Sequence, residues 1–98
     1  MNEKMPIEGK YLMYKGKPLL REKNWICYGN MTDKYYLSML IINNKTVNGK
    51  EVPNSILVQI LTTGTDTKIY KQITKVGLAD ALDIGTIWLE RALSDSAT

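Results

Sequence analysis

Apolar positions recur with a period of two through residues 10–74 and with a period near 3.6 after that, the signature of strands followed by one helix. Lys10–Tyr14 reads as a first strand. Lys15-Gly16 is a two-residue turn in which Gly supplies the positive φ of a tight hairpin. The return strand runs from Lys17 to about Arg21, and Pro18, which cannot donate a ladder hydrogen bond, places it at a sheet edge or marks its start. Glu22-Lys23-Asn24 turns the chain into Trp25–Tyr28, a short strand rich in β-formers. Tyr35–Asn43 carries the strongest strand signal, with Tyr35, Leu37, Met39 and Ile41 on one face and Tyr36, Ser38, Leu40 and Ile42 on the other. A strand apolar on both faces belongs at the centre of a sheet and is expected to be covered twice. Asn48-Gly49 is a type I′ turn pair. Pro53-Asn54 delays the next strand to Ser55–Thr62, where Ile56, Val58 and Ile60 oppose Leu57 and Leu61. After the polar turn Thr63-Gly64-Thr65-Asp66, a weaker edge strand is expected at Lys68–Thr74.

In the last segment Leu78, Leu82, Gly85, Trp88, Leu89, Ala92 and Leu93 share one helical face, flanked by Ala81 and Ile84. Asp80, Thr86, Glu90 and Arg91 fall largely on the other side. Thr74 is a candidate N-cap; alternatively Asp83 caps a second segment from Ile84 and leaves a kink. Gly85 costs about 1 kcal/mol against Ala inside a helix, so its place in the apolar stripe predicts close packing on the sheet. The fold class is therefore α+β: an antiparallel meander of five or six strands with one C-terminal helix packed on it. Residues 10–94 form a single domain between loose tails at 1–9 and 95–98. A helix about 10 Å across covers roughly two strands spaced about 4.8 Å apart. One helix cannot cover this sheet, so either the sheet curls into a partial barrel or another chain, such as a second copy in a homodimer, shields the open face.

Composition and charge narrow the partners. The chain has 98 residues, one domain's worth, with 44% hydrophobic and 23% charged residues, near the globular averages. Cys27 is the only cysteine, so no internal disulfide forms and a reducing, cytoplasmic setting is expected. Met1-Asn2-Glu3-Lys4-Met5-Pro6 lacks the pattern of a signal peptide, and the longest apolar run, Leu37 to Ile42, is too short to span a bilayer, so no membrane association is expected. The net charge of +3 is unevenly placed. Residues 1–49 carry eight Lys/Arg against four Asp/Glu, and residues 50–98 carry five against six.

The residues for catalysis are sparse. Histidine is absent, which removes the commonest general base and metal ligand and any His-assisted nucleophile. Cys27 lies mid-strand between Ile26 and Tyr28, where a small buried hydrophobe is the simpler reading. Asp80 and Asp83 stand three residues apart and could hold a hard cation, but charge at a helix start explains them more simply. Neither Gly-rich phosphate-loop pattern occurs. No enzyme and no cofactor are expected. The basic first hairpin interleaves Lys10, Lys15, Lys17, Arg21 and Lys23 with Tyr11, Tyr14, Trp25 and Tyr28, the ingredients of single-strand nucleic-acid binding. Lysines guarding a strand edge and aromatics filling a core explain the same pattern. Trp88 reads first as core and second as an anchor for a protein interface.

Three stretches together carry a resemblance: Tyr14-Lys15-Gly16-Lys17-Pro18-Leu19, Trp25-Ile26-Cys27-Tyr28-Gly29, and residues 83–93, Asp83-Ile84-Gly85-Thr86-Ile87-Trp88-Leu89-Glu90-Arg91-Ala92-Leu93. They resemble a group of small uncharacterised proteins encoded within conjugative or other mobile elements of gut-dwelling Gram-positive bacteria. The resemblance spans most of residues 10–93 and brings no activity or ligand with it. It implies a bacterial cytoplasmic setting and an accessory role in the maintenance or transfer of such an element. The functional expectation is a non-enzymatic binding protein acting through protein contacts, with nucleic-acid binding by the basic hairpin as the alternative.

Overall fold

The computed structural model describes residues 10–96; the tail expected at 1–9, and residues 97–98 of the tail expected at 95–98, lie outside the described residues. Six strands follow one another as β1 (Lys10–Tyr14), β2 (Lys17–Glu22), β3 (Trp25–Tyr28), β4 (Tyr35–Val47), β5 (Lys50–Thr62) and β6 (Ile69–Val76). Each pairs antiparallel with the next, so the spatial order is the sequence order and every connection is a local turn. The sheet stays open: β1 and β6 are its two edges, and the partial-barrel alternative is not realised.

The tight turns do the ordering. Lys15-Gly16 and Asn48-Gly49 both take positive φ at each central residue (50° and 82°; 53° and 78°), the twist a type I′ hairpin needs. Asn48-Gly49 zips β4 and β5 into a ribbon that begins well before the apolar residues do, so both strands are longer than their hydrophobic pattern suggests. Register shifts at Ile42 and Asn54 absorb the irregularity, and Pro53 sits beside one of them, where a missing donor does least harm.

Gly77 (φ 90°) turns the chain from β6 into α1 (Leu78–Ser96), which runs back across β4, β5 and β6. Thr74 is not its N-cap: it lies within β6, paired with Leu57. The helix is continuous through Asp83 and Ile84, with no break for a second segment, and it carries Asp95 and Ser96 into the domain. Thr86 also departs from expectation. It is buried, and its hydroxyl is satisfied by donating to the Asp83 carbonyl oxygen at 3.0 Å.

The core lies between α1 and one sheet face. Leu37, Met39, Ile41, Ile56, Val58 and Ile60 from the central strands meet Ala81, Leu89 and Ala92, with Ile26, Tyr28 and Tyr35 at the margins. Small residues let the helix sit low. A Cβ on Gly85 would lie 2.8 Å from both methyl carbons of Leu37, which explains why the helix accepts its weakest ordinary former at that point. Among the described residues every buried side-chain polar atom has a hydrogen-bond partner, so this layer is apolar and closed.

Candidate interaction surface

Pleat alternation and register assign each strand residue to one of two faces. Across the helix-free face, one row runs Glu22, Trp25, Leu40, Leu57, Thr74 from β2 to β6. The next row runs Leu20, Cys27, Ser38, Gln59, Gln72. Tyr36 and Leu61 continue the face beyond it, and Ile42 closes it at the bulge. Several of these side chains are open to solvent: Trp25 is 37% exposed, Leu40 44% and Ile42 53%.

The middle row is held by polar contacts within the face. Trp25 Nε1 donates to Ser38 Oγ at 2.8 Å, and Gln59 Nε2 donates to Gln72 Oε1 at 2.9 Å. The indole therefore reaches diagonally across the strands, and the two residues beside that contact, Cys27 and Ser38, are buried. Burial pushes the Cys27 thiol up to about 11, so it is neither a thiolate nor a ready nucleophile at neutral pH. Burial, with Cys27 as a smaller influence, also raises Tyr36.

The charges sit on the other side. Lys17, Arg21, Lys71 and Lys75 all occupy positions in register with core residues of the helix face: Lys17 with Tyr14, Arg21 with Ile26, Lys71 with Ile60 and Lys75 with Ile56. The two rows from Glu22 to Thr74 and from Leu20 to Gln72 hold no lysine or arginine, and their one carboxylate is Glu22 at the rim; Lys45, Lys50 and Glu51 lie beyond the bulges, on the β4–β5 ribbon.

The basic hairpin is drawn into structure more than presented for binding. Lys17 forms an ion pair with Asp33 at 3.2 Å. Lys15 Nζ lies 5.4 Å from the ring centre of Tyr14. Tyr14 packs edge-on against Tyr28, whose hydroxyl donates to the Tyr14 carbonyl oxygen, and Tyr28 is buried in the core. Arg21 Nε donates to the Lys23 carbonyl oxygen at 3.3 Å, and Lys23 occupies a turn at φ 55°. Arg21 also lines a small cavity of about 140 Å3 with Leu19, Ile26, Met39, Leu78 and Leu82. Lys10 pairs in register with Arg21; its side chain lies outside the described part of the structure. The structure leaves Lys15, Arg21 and Lys23 exposed.

Trp88 is half-buried on the β6 side of α1, with Lys71 Nζ 4.6 Å above its ring. Asp80 and Asp83 are both exposed on the helix, away from the cavity. Among the described residues no group of three His, Cys, Asp or Glu is placed to hold a metal ion, and no helix is long and apolar enough to cross a membrane. The exposed row Trp25–Leu40–Leu57 is the feature the sequence indicated without locating: a second apolar face was visible in the alternation, but its separation from the cations needed the register. Comparisons with models of protein families, with curated proteins and with solved structures find no match to this chain.

Proposed function

We propose that this protein is a non-enzymatic binding module whose helix-free sheet face docks a protein partner. One observation carries the reading: the adjacent strands β3 and β4 present exposed Trp25, Leu40 and Ile42 on a face whose rows from β2 to β6, Glu22 to Thr74 and Leu20 to Gln72, hold no lysine or arginine. An antiparallel sheet that faces water alternates apolar and polar residues, with its charges outward. Here the charges lie on the helix side, the reverse of what solvation favours. A bacterial cytoplasmic setting and an accessory role in a mobile element fit a small adaptor of this kind, in line with the resemblance in residues 14–19, 25–29 and 83–93.

Nucleic-acid binding by the first hairpin is the weaker reading. Lys17 is engaged by Asp33 and Tyr28 is enclosed in the core, which removes a phosphate contact and a base-stacking ring.

A photo-cross-linking residue placed at position 40 or at position 87, in the cells that make the protein, tests the docking face. Position 87 is a matched control, because Ile87 is 40% exposed on the outer side of the helix. Adducts from position 40 and none from 87 are expected; no adduct from position 40 overturns the reading.

A further inference from the structure

We infer that the partner on the open face is a second copy of this chain, packed face to face about a two-fold axis running along β4; the inference rests on the docking reading above. An axis in that direction places each strand over its mirror position in the sheet order, β4 over β4 and β3 over β5. In the row Glu22, Trp25, Leu40, Leu57, Thr74, Leu40 then meets Leu40 of the second copy and Trp25 meets its Leu57. Glu22, the one carboxylate of the two rows, meets the hydroxyl-bearing Thr74 of the other copy rather than another carboxylate. Within these rows self-packing therefore sets no like charges opposite one another.

The polar middle row does not oppose the contact. Trp25 with Ser38 and Gln59 with Gln72 already bond within one copy, so covering them strands fewer donors than an unpaired row would. The overlap suits a weak, concentration-dependent dimer. An axis along β4 superposes only β2–β6, and five strands at about 4.8 Å with a row-to-row span of about 20 Å give a flat footprint of about 480 Å2 per copy, before side-chain relief is counted. That lies below the roughly 800 Å2 per partner of a standard interface, in the range of transient contacts. The alternative self-contact, β6 against β6 at the sheet edge, is less favourable. Pairing centred on Ile73 sets Lys71 directly opposite Lys75 of the second copy, twice over.

Sedimentation equilibrium of the full chain over a concentration series decides the matter. The mass is expected to rise from 11.1 kDa to twice that value as concentration increases. Leu40→Glu, at the centre of the face, and Ile42→Lys, at its lip, are each expected to weaken dimerisation by at least about 30-fold, the scale of a central interface residue. Ile87→Glu leaves it unchanged. Both substituted positions on the face are solvent-exposed in the single chain, and far-UV circular dichroism checks that each variant folds. Should Leu40→Glu fail to fold, the wild-type series and Ile42→Lys still decide. A wild-type chain that stays at 11.1 kDa up to about 500 μM overturns the inference, as does a dimer that survives both face substitutions. A monomer that still yields cross-links to a different protein from position 40 overturns self-association and leaves the docking reading standing.

Discussion

Leu37 and Leu40 lie three residues apart on the same strand and inhabit different environments. Leu37 is fully buried beneath Gly85, while Leu40 is 44% exposed on the opposite face between Trp25 and Leu57. The two faces of β4 and β5 are almost equally apolar in sequence, so composition does not distinguish them. What distinguishes them is the helix, which is wide enough to cover β4 to β6 on one side only. The helix face also bears Lys17 and Arg21 toward one edge of the sheet and Lys71 and Lys75 toward the other. At these edges long side chains can lay their stems on apolar surface and keep the charge in water, as Lys71 does over Trp88. A sheet built this way has a closed, charge-rimmed side and an open, neutral side. The second is the side that water rewards least.

The same substitution on the two faces tests that contrast most directly. Leu37→Ala removes a fully buried side chain from a layer with no exposed atoms to relax into, and a loss of about 2–5 kcal/mol is expected. Leu40→Ala in the monomer is expected to cost less than about 1.5 kcal/mol, because much of the side chain already meets solvent. Urea unfolding of both variants at low protein concentration measures the gap, and equal losses would show that the open face is part of the core after all. Gly85→Ala comes next in size. Alanine adds about 1 kcal/mol of helix propensity, but its Cβ at 2.8 Å from both Leu37 methyl carbons must displace an enclosed side chain, an overpacking cost of about 1–3 kcal/mol. A net fall in the urea midpoint is expected; a rise would mean that the helix can lift off the sheet without penalty.

Much of this architecture was legible in the alternation. β1 and β3 fall on the residues the pattern indicates, and the central apolar strands and the single helix follow from the change of period. The misses have separate physical causes. The polar ends of β4 and β5 carry no hydrophobic signal because the ribbon is held by backbone pairing from the Asn48-Gly49 turn, not by burial. Thr74 has the chemistry of a cap but is committed to β6 by its pairing with Leu57, and Gly77 makes the turn into the helix instead. Thr86 sits inward because a threonine hydroxyl can bond back to its own helix, so a polar residue on the wheel need not face water. The charge separation between faces was hidden for a different reason. It depends on which residues share a side across six strands, and a one-residue slip in any pairing would invert it.

The alkaline limb of stability probes buried and half-buried groups on both faces, Cys27 and Tyr36 on the open side and Tyr28 on the helix side. Burial raises the Cys27 thiol from 9.0 to about 11 and raises Tyr28 and Tyr36 above 10.0, with Glu90 and Tyr14 adding smaller repulsions at Tyr28 and Cys27 at Tyr36. A raised folded-state pKa means the unfolded chain releases its proton first. The stability these groups contribute is therefore complete below about pH 9 and is lost as pH climbs through about 11. Urea midpoints measured from pH 7 to 11 are expected to be flat and then to fall, and Cys27→Ala is expected to shallow the fall. At pH 8 the higher pKa alone makes thiol alkylation roughly 100-fold slower than for a cysteine at 9.0, and unfolding in urea restores the ordinary rate. Prompt labelling of the folded chain would place Cys27 outside the cover that Trp25 and Ser38 give it.

The β4–β5 ribbon should matter least to the fold, and that makes it a sharp instrument. Residues 43–51 are all exposed, and the ribbon's side-chain contact between Asn44 and Glu51 is a long 3.4 Å. Its base is different. Asn43 Oδ1 accepts from the backbone and side-chain amides of Ser55 and Asn54, and the Asn54 carbonyl oxygen accepts from Gly77 N at 2.7 Å, tying the ribbon's root to the turn before α1. Excising 44–47 and 50–53 keeps both asparagines and the Asn48-Gly49 turn, and it shortens a loop whose closure entropy changes only slowly with length. The expected change in unfolding free energy is within about 0.5 kcal/mol, the scale of ordinary surface substitutions. If the ribbon extends the docking face, the same excision lowers the fraction of dimer in sedimentation while the urea midpoint holds, because association and folding draw on opposite sides of the sheet. A midpoint that drops along with the dimer would show instead that the two sides are not energetically separate.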